Sequence, residues 1–475
     1  MNNLIKFGTD GWRGIIAQDF TFDNVRACAQ AVADYLKETG LAQQGLVIGY
    51  DTRFASEDFA AATAEVAAGN GIKVYLSPKA TPTPAISFGI VNQKAGGGII
   101  ITASHNPAIW NGFKFKTEFG SSVSPEVTTR IEASIAHTLA TGKINKMPLA
   151  QALKQNLVEY LDLDSAYFKQ LTSLVDLKEL RQSGLKVVVD PMYGAGIGYF
   201  QKLLGSEATQ LVGINSERNP LFPGIRQPEP IAANLAKLSA TVKKQKASIG
   251  LATDGDADRL GVIDENGVFI STLHTLALLC LYLLEIRGER GLIVKTITAS
   301  SMLYRLGELF NVPVYETPVG FKYVAPVMQA KKALIGGEES GGYGFRGHIP
   351  ERDGILAGLY FLDLMIKTGK SPSELTSYLH SKVGPHYYKR VDIKFTEGER
   401  QAISNRARDY SPDFLDGIKV VSSDSKDGFR FILADNSWLL IRFSSTEPLL
   451  RLYAESNSQD RVEKLLELAQ ALVRA

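Results

Sequence analysis

A chain of 475 residues is longer than one ordinary hydrophobic core supports, so two to four domains are expected. Its apolar share of 45% and charged share of 21% are ordinary for a soluble globular protein. A net charge of only +2, with no long run of Lys or Arg, speaks against a nucleic-acid or membrane-surface partner.

The N-terminal stretch MNNLIKFGTDG has no apolar signal core. It leads into Asp10-Gly11-Trp12-Arg13-Gly14, an arginine in a glycine-flanked turn. Cys28 in VRACAQAV and Cys280 in LALLCLYLL lie far apart, each in an apolar helix-like stretch. They read as small buried hydrophobes in a reducing compartment rather than as a disulfide. No segment offers eighteen clean apolar residues; Leu273 to Ile286, broken by His274, Thr275 and Glu285, reads as a buried helix. A cytoplasmic location, with no membrane contact, is the expectation.

Short β-branched runs recur along the chain: LVIGYD (46–51), IKVYL (72–76), GIIIT (98–102), LKVVVD (185–190), SIGLATD (248–254), LIVKT (292–296) and ALIGG (333–337). Helix-like stretches such as Phe59 to Asn70 separate them. This alternation predicts parallel strands covered by helices, with ligands at the carboxyl ends of the strands. The unusual loops fall at those ends.

The first follows Thr102: Ala103-Ser104-His105-Asn106-Pro107. A serine on a tight loop at a strand end, with an imidazole beside it, suits a nucleophile. The same residues also suit a helix N-cap followed by a turn, and the loop alone does not decide. A serine-hydrolase elbow would need G-x-S-x-G, whereas Ala103 and His105 flank this serine. Residues near 141–160 read as a polar, helix-rich linker. Gly194-Ala195-Gly196-Ile197-Gly198 resembles a dinucleotide loop, but its third glycine comes one residue early, so it reads as a turn leading into a helix.

The second loop is Asp254-Gly255-Asp256-Ala257-Asp258-Arg259. Three carboxylates at alternate positions, spaced by the smallest residues, can turn to one point. There they would repel one another unless a hard divalent cation sat among them. A calcium EF-hand is excluded because Arg259 stands where that loop needs glycine, and LGVID continues as a strand rather than a helix. Arg259 can neutralise part of the charge or grip a phosphate bidentately. A solvated acidic turn is the plainer alternative.

Further on, Lys295 and Lys322 each end an apolar run, and either alone could be a surface lysine. Gly336-Gly337-Glu338-Glu339-Ser340-Gly341-Gly342 encloses two carboxylates and a hydroxyl among four glycines, a setting fit for sugar hydroxyls. After about residue 386 the pattern becomes α+β. Tyr387 to Phe395 alternates, 429–434 and 438–443 form a hairpin around Asp435-Asn436, and a last helix over 460–474 puts Val462, Leu465, Leu466, Ala469 and Leu472 on one face. Arg442-Phe443-Ser444-Ser445-Thr446-Glu447-Pro448 ends the hairpin with an arginine, three hydroxyls and successive amides, an anion cradle.

Together FGTDGWRG, TASHNP, NGFKF, DGDADR, TPVGFK, GGEESGG and RFSSTEP resemble, in order and from residue 7 to residue 448, the α-D-phosphohexomutase family of phosphoglucomutases and phosphomannomutases. The resemblance implies three mixed-sheet α/β domains and a C-terminal α+β domain, similar to the TATA-binding protein, around a central cleft. The expected division is 1–150 with the phosphoserine loop, 151–268 with the metal loop, 269–385 with the sugar loop and 386–475 with the phosphate loop. It implies that Ser104 is the phosphoserine and that Asp254, Asp256 and Asp258, with a phosphoserine oxygen, hold one Mg²⁺ per chain. Arg13, His105, Lys114, Arg259 and Lys295 would surround the transferring phosphoryl group. Lys322, Glu338 and Ser340 would contact the sugar phosphate, and Arg442, Ser444, Ser445 and Thr446 its distal phosphate.

The reaction implied starts with transfer from Ser104 to the 6-hydroxyl of glucose 1-phosphate. The glucose 1,6-bisphosphate formed is both intermediate and activator; it turns over in the cleft and returns its other phosphate to Ser104. Lys114 or His105 would move the proton. Ser445 stands where many members have Gly or Asn. EESGG departs from the EMSGH of dual glucose/mannose mutases and the EQSGH of glucosamine mutases, which favours glucose. Alternatives are a phosphomannomutase or dual-specificity mutase, a glucose 1,6-bisphosphate synthase, a metal-dependent phosphatase, and a non-catalytic phosphosugar-binding protein. A monomer or homodimer acting on hexose phosphates is expected.

Overall fold

The computed structural model describes residues 5–8, 10–444 and 449–474, which fold around four sheets. Runs that are apolar on both faces form the centre of each of the first three. In the first, Gly97–Ile101, Leu46–Tyr50, Val74–Leu76 and Val158–Tyr160 are parallel neighbours, and the two central strands are buried throughout. The second centres on parallel Ile249–Thr253, Lys186–Asp190 and Gln210–Gly213. The third centres on parallel Val314–Thr317, Ile293–Thr296 and Ile335–Gly337.

The sheets are mixed, as the family resemblance implies, and for the same cause in all three. After each functional loop the chain turns straight back as an antiparallel strand. Trp110–Thr117 returns beside Gly97–Ile101, Leu260–Ile263 beside Ile249–Thr253, and Tyr343–Phe345 beside Ile335–Gly337. These connections are too short for a parallel crossover, which takes about a dozen residues or more. The serine loop, the acidic loop and the glutamate loop are thus three versions of one device. The exit strand of the acidic loop also settles its geometry: it is the end of a hairpin, as the exclusion of an EF-hand requires.

The fourth sheet is antiparallel throughout, in the order Tyr387–Lys394, Leu449–Ser456, Trp438–Phe443, Phe429–Leu433, Ile418–Asp424, Phe414–Leu415. Helices Arg400–Asp409 and Gln459–Arg474 accompany it, and Val462, Leu465, Leu466 and Ala469 are buried in its core, with Leu472 packed at the margin. Asn436 takes a left-handed φ of 66° in the predicted hairpin turn.

The second and third sheets share one core. Helix Gly354–Thr368 is buried from Gly354 to Met365, and its Leu356 and Phe361 belong to the same cluster as Leu251 and Ile335. That explains a helix apolar on every side. Cys28 and Cys280 are buried free thiols, as expected, and burial pushes both thiols up. No helix among the described residues is long and apolar enough to cross a membrane.

Helices Thr272–Leu281 and Pro372–Val383 meet through two imidazoles, His274 Nε2 and His380 Nε2, 2.9 Å apart. Burial, then the neighbouring His380 and His386, lowers His274 from 6.5 to about 4. The unfolded chain therefore binds the extra proton between those values. The resulting stability is complete above pH 6.5 and is lost as pH falls toward 4, amounting to about 3 kcal/mol. His274→Gln should give a shallower fall in melting temperature over that window than the parent; parallel curves would refute the assignment.

Candidate active site

The Ser104 loop is held from beneath. Arg53, fully buried and ion-paired to Asp51 at 3.1 Å, donates to four carbonyls: Ser104 and Asn106 through Nη2, Pro107 and Trp110 through Nη1. The Ser104 amide donates to Thr102 Oγ1 at 2.8 Å. These bonds hold Ser104 at a φ of 50°, a left-handed conformation that a non-glycine residue adopts only under constraint. Its Oγ donates to Asp254 Oδ2 at 2.7 Å and lies 3.4 Å from His105 Nδ1.

Asp254, Asp256 and Asp258 are fully buried, each offering an oxygen within 4.8 Å of the others. Left-handed Ala257, at a φ of 58°, helps turn the alternate side chains inward. Asp254 Oδ1 accepts from the amides of Asp258 and Arg259, and Asp256 Oδ2 from Thr83 Oγ1 and Lys114 Nζ. Asp256 Oδ1 and Asp258 Oδ1, although buried, accept no hydrogen bond from the described residues. Buried carboxylate oxygens left this way are costly, and a hard divalent cation would satisfy them. The residues therefore fit the expected Mg²⁺.

The three carboxyls differ. Burial, then Asp258 and Asp256, pushes Asp254 well above the usual carboxylate range. Burial also raises Asp258 despite Arg352. Against the upward pull of burial, Lys114 holds Asp256 below its ordinary value.

Lys114, on the return strand, sits 2.6 Å from Asp10 and 2.8 Å from Asp256. Burial would lower its pKa, but Asp10 and Asp256 outweigh it and raise it. Lys114 stays charged, which makes it a poor base. His105 is the opposite case: burial, then Arg259, Arg13 and Lys114, keeps its imidazole well below the ordinary range and neutral. Arg13 reaches Asn106 Oδ1, and Arg259 lies 3.3 Å from Glu229 and 3.9 Å from both Asp254 and Asp258.

The glutamate loop meets the acidic loop directly, through a bridge between Arg259 and Gly342 and a bond from the Leu260 amide to Gly341 O. Glu338 is buried, and Ser340 is half-buried on the same turn. Burial raises the Glu338 carboxyl despite Arg352. Glu339 points away, to Arg390 of the fourth sheet at 3.1 Å.

Sequence reasoning missed Arg352. Its guanidinium lies 2.6 Å from Asp10, 2.7 Å from Asp258 and 3.6 Å from Glu338, so one side chain ties together the loops of all three α/β sheets. A Cβ on Gly342 would lie 2.2 Å from Arg352 Cδ, so Arg352 fills the space that a side chain at 342 would need. The available signal was Glu351-Arg352-Asp353, three charged residues directly before an apolar helix.

Lys295 is paired outside the acidic trio. It faces Glu316 in register across two parallel strands, 3.1 Å away, over the Tyr304 ring. Glu316 is also gripped by Arg430 of the fourth sheet. Lys295 thus also joins the contact between the third and fourth sheets, while Arg352 stands among the acidic side chains. Lys322 is half-buried, its Nζ 3.5 Å from Gly8 O. Arg442 pairs with Asp427, and the Ser444 amide donates to Leu449 O. Ser445 and Thr446 lie outside the described residues.

Four descriptions of the phosphoglucomutase/phosphomannomutase family match the chain: alpha/beta/alpha domain I over residues 4–141, domain II over 165–267, domain III over 273–382 and the C-terminal domain over 396–470. The chain is 32% identical over 463 residues to a phosphoglucomutase/phosphomannomutase of Thermococcus kodakarensis, covering 97% of each. It is 29% identical to a phosphoglucosamine mutase of Thermobifida fusca, covering 98% of each. The crystal structure of a phosphomannomutase-type protein of Thermus thermophilus superposes over 100% of both chains, with a TM-score of 0.85 and 36% identity.

Proposed function

We infer that this chain, which belongs to the phosphoglucomutase/phosphomannomutase family, is a phosphohexomutase that interconverts glucose 1-phosphate and glucose 6-phosphate through a phosphorylated Ser104. The observation that supports this best is the contact of Ser104 Oγ with Asp254, inside a buried trio of carboxylates whose unbonded oxygens suit a cation. Asp254, Asp256 and Asp258, with an oxygen on Ser104, would hold Mg²⁺, which supplies positive charge against the phosphoryl oxygens when bound. Lys114, Arg13, Arg259 and Arg352 add fixed cations around the same point, the arrangement phosphoryl transfer relies on.

His105 is the proton carrier in this reading. Being neutral, its Nδ1 can take the proton of the attacking sugar hydroxyl and pass it to the Ser104 oxygen 3.4 Å away as the P–O bond there breaks. Lys114 contributes charge. Glu338 and Ser340 receive the sugar hydroxyls, and Lys322, Arg442, Ser444, Ser445 and Thr446 the distal phosphate. The reading favours glucose because EESGG departs from the EMSGH of dual glucose/mannose mutases and the EQSGH of glucosamine mutases.

A panel of glucose, mannose and glucosamine 1-phosphates, assayed with Mg²⁺ and catalytic glucose 1,6-bisphosphate, tests the assignment. The expected kcat/KM for glucose exceeds the others by about tenfold or more. Equal or reversed preference overturns the glucose reading. Release of inorganic phosphate, or of the bisphosphate as main product, overturns the mutase reading for this substrate.

A further inference from the structure

Arg442 is buried and leaves the fourth sheet at the end of strand Trp438–Phe443. Among the described residues, the carboxylate that pairs with it is that of Asp427 on the neighbouring turn. Asp427 Oδ1 lies 2.9 Å from Arg442 Nε. Its other oxygen, Oδ2, accepts from the backbone amide of Val319 at 2.8 Å. Val319 lies in the turn between strand Val314–Thr317 of the third sheet and helix Phe321–Lys331, in the segment from Thr317 to Lys322, and Lys322 lies within electrostatic reach of the same carboxylate.

The turn is built to allow this. Gly428 has a φ of 107°, and a Cβ there would lie 2.6 Å from Ile441 O and 3.0 Å from Arg442 Cβ. Only glycine lets the Asp427 turn press against the Arg442 strand. Asp427 pairs by charge with the guanidinium on its Nε side, which anchors Arg442 at the strand end, and a guanidinium's terminal nitrogens are the pair a phosphate engages bidentately.

We propose that Asp427 is the positioning residue of the distal phosphate site, anchoring Arg442 by charge and coupling it to the Thr317–Lys322 segment across the boundary between the third and fourth sheets. This rests on the assignment of Arg442 to the distal phosphate, and the experiment separates the two. Kinetics with glucose 1-phosphate are compared for the full-length parent, Asp427→Asn, Arg442→Ala and the double variant, alongside melting temperatures.

Asp427→Asn should raise KM about tenfold and change kcat by less than about threefold, the effect of a misaligned charged contact made in ground and transition states alike. Arg442→Ala should raise KM at least as much, and the double variant should be no worse than Arg442→Ala alone. Asp427→Glu, which retains a carboxylate, should recover part of the loss. If the two KM effects multiply in the double variant, Asp427 does not act through Arg442 and the proposal falls while the Arg442 assignment stands. If Arg442→Ala leaves KM unchanged, the distal-phosphate assignment itself fails. Should Asp427→Asn lower the melting temperature and kcat together with no KM change, the residue is merely structural and the proposal is overturned.

Discussion

Ser104→Ala should lower mutase turnover by at least about 10⁴-fold while the protein stays folded, because the reaction loses the atom that stores the phosphoryl group. The fold should survive because the loop does not depend on the hydroxyl. Its left-handed backbone is held by Arg53 donating to four carbonyls and by the Ser104 amide on Thr102, none of which touches Oγ. The change removes the hydrogen bond to Asp254 and the longer one with His105 Nδ1, and costs about 1 kcal/mol. Intact mass before and after incubation with glucose 1,6-bisphosphate reads the outcome independently of rate. The parent should gain one phosphoryl group and the variant none. Turnover near the parent's, or a phosphoryl group still acquired, would remove Ser104 as the nucleophile.

Asp256→Asn carries the second large effect. Asp256 is the member of the trio held below the usual carboxylate range, by Lys114 at 2.8 Å. Asparagine keeps the shape but removes the charge. The metal-free protein should be little changed in stability, because Lys114 retains Asp10 at 2.6 Å and Asp254 and Asp258 lose a like-charged neighbour. The cost should appear when Mg²⁺ is added. The parent should melt higher as the ion binds the folded state, and the variant should show little of this gain. Turnover at fixed Mg²⁺ should fall by about 10²–10³-fold, the scale of losing one charge-stabilising group in a buried site. An unchanged Mg²⁺ dependence of both rate and melting would refute the assignment of the trio as metal ligands.

Glu339 shows how a correct local reading can mistake a role. EES reads as two acids facing a sugar, yet in the fold Glu338 turns toward Arg352 and Glu339 toward Arg390. Adjacent residues on a tight turn point apart, so the pair divides between the cleft and the fourth sheet. The proposed sugar contacts therefore rest on Glu338 and Ser340 rather than on two acids acting together.

Local chemistry was legible without any structure. Strand periodicity placed the loops at carboxyl ends, small residues between Asp254, Asp256 and Asp258 announced their convergence, and the charge of that trio announced a cation. Those properties depend on residues a few positions apart, where chain geometry is the same in any fold. Which distant charges met was settled by the packing of the sheets. Arg352 reaches Asp10 and Asp258 only because three return strands bring their loops to one point. Lys295 is drawn to Glu316 because strand register sets them side by side. Asp427 finds Arg442 and Val319 only where the fourth sheet docks on the third. Ion pairs across hundreds of residues leave no periodic trace in the chain, so the cations of this site became readable only once folded.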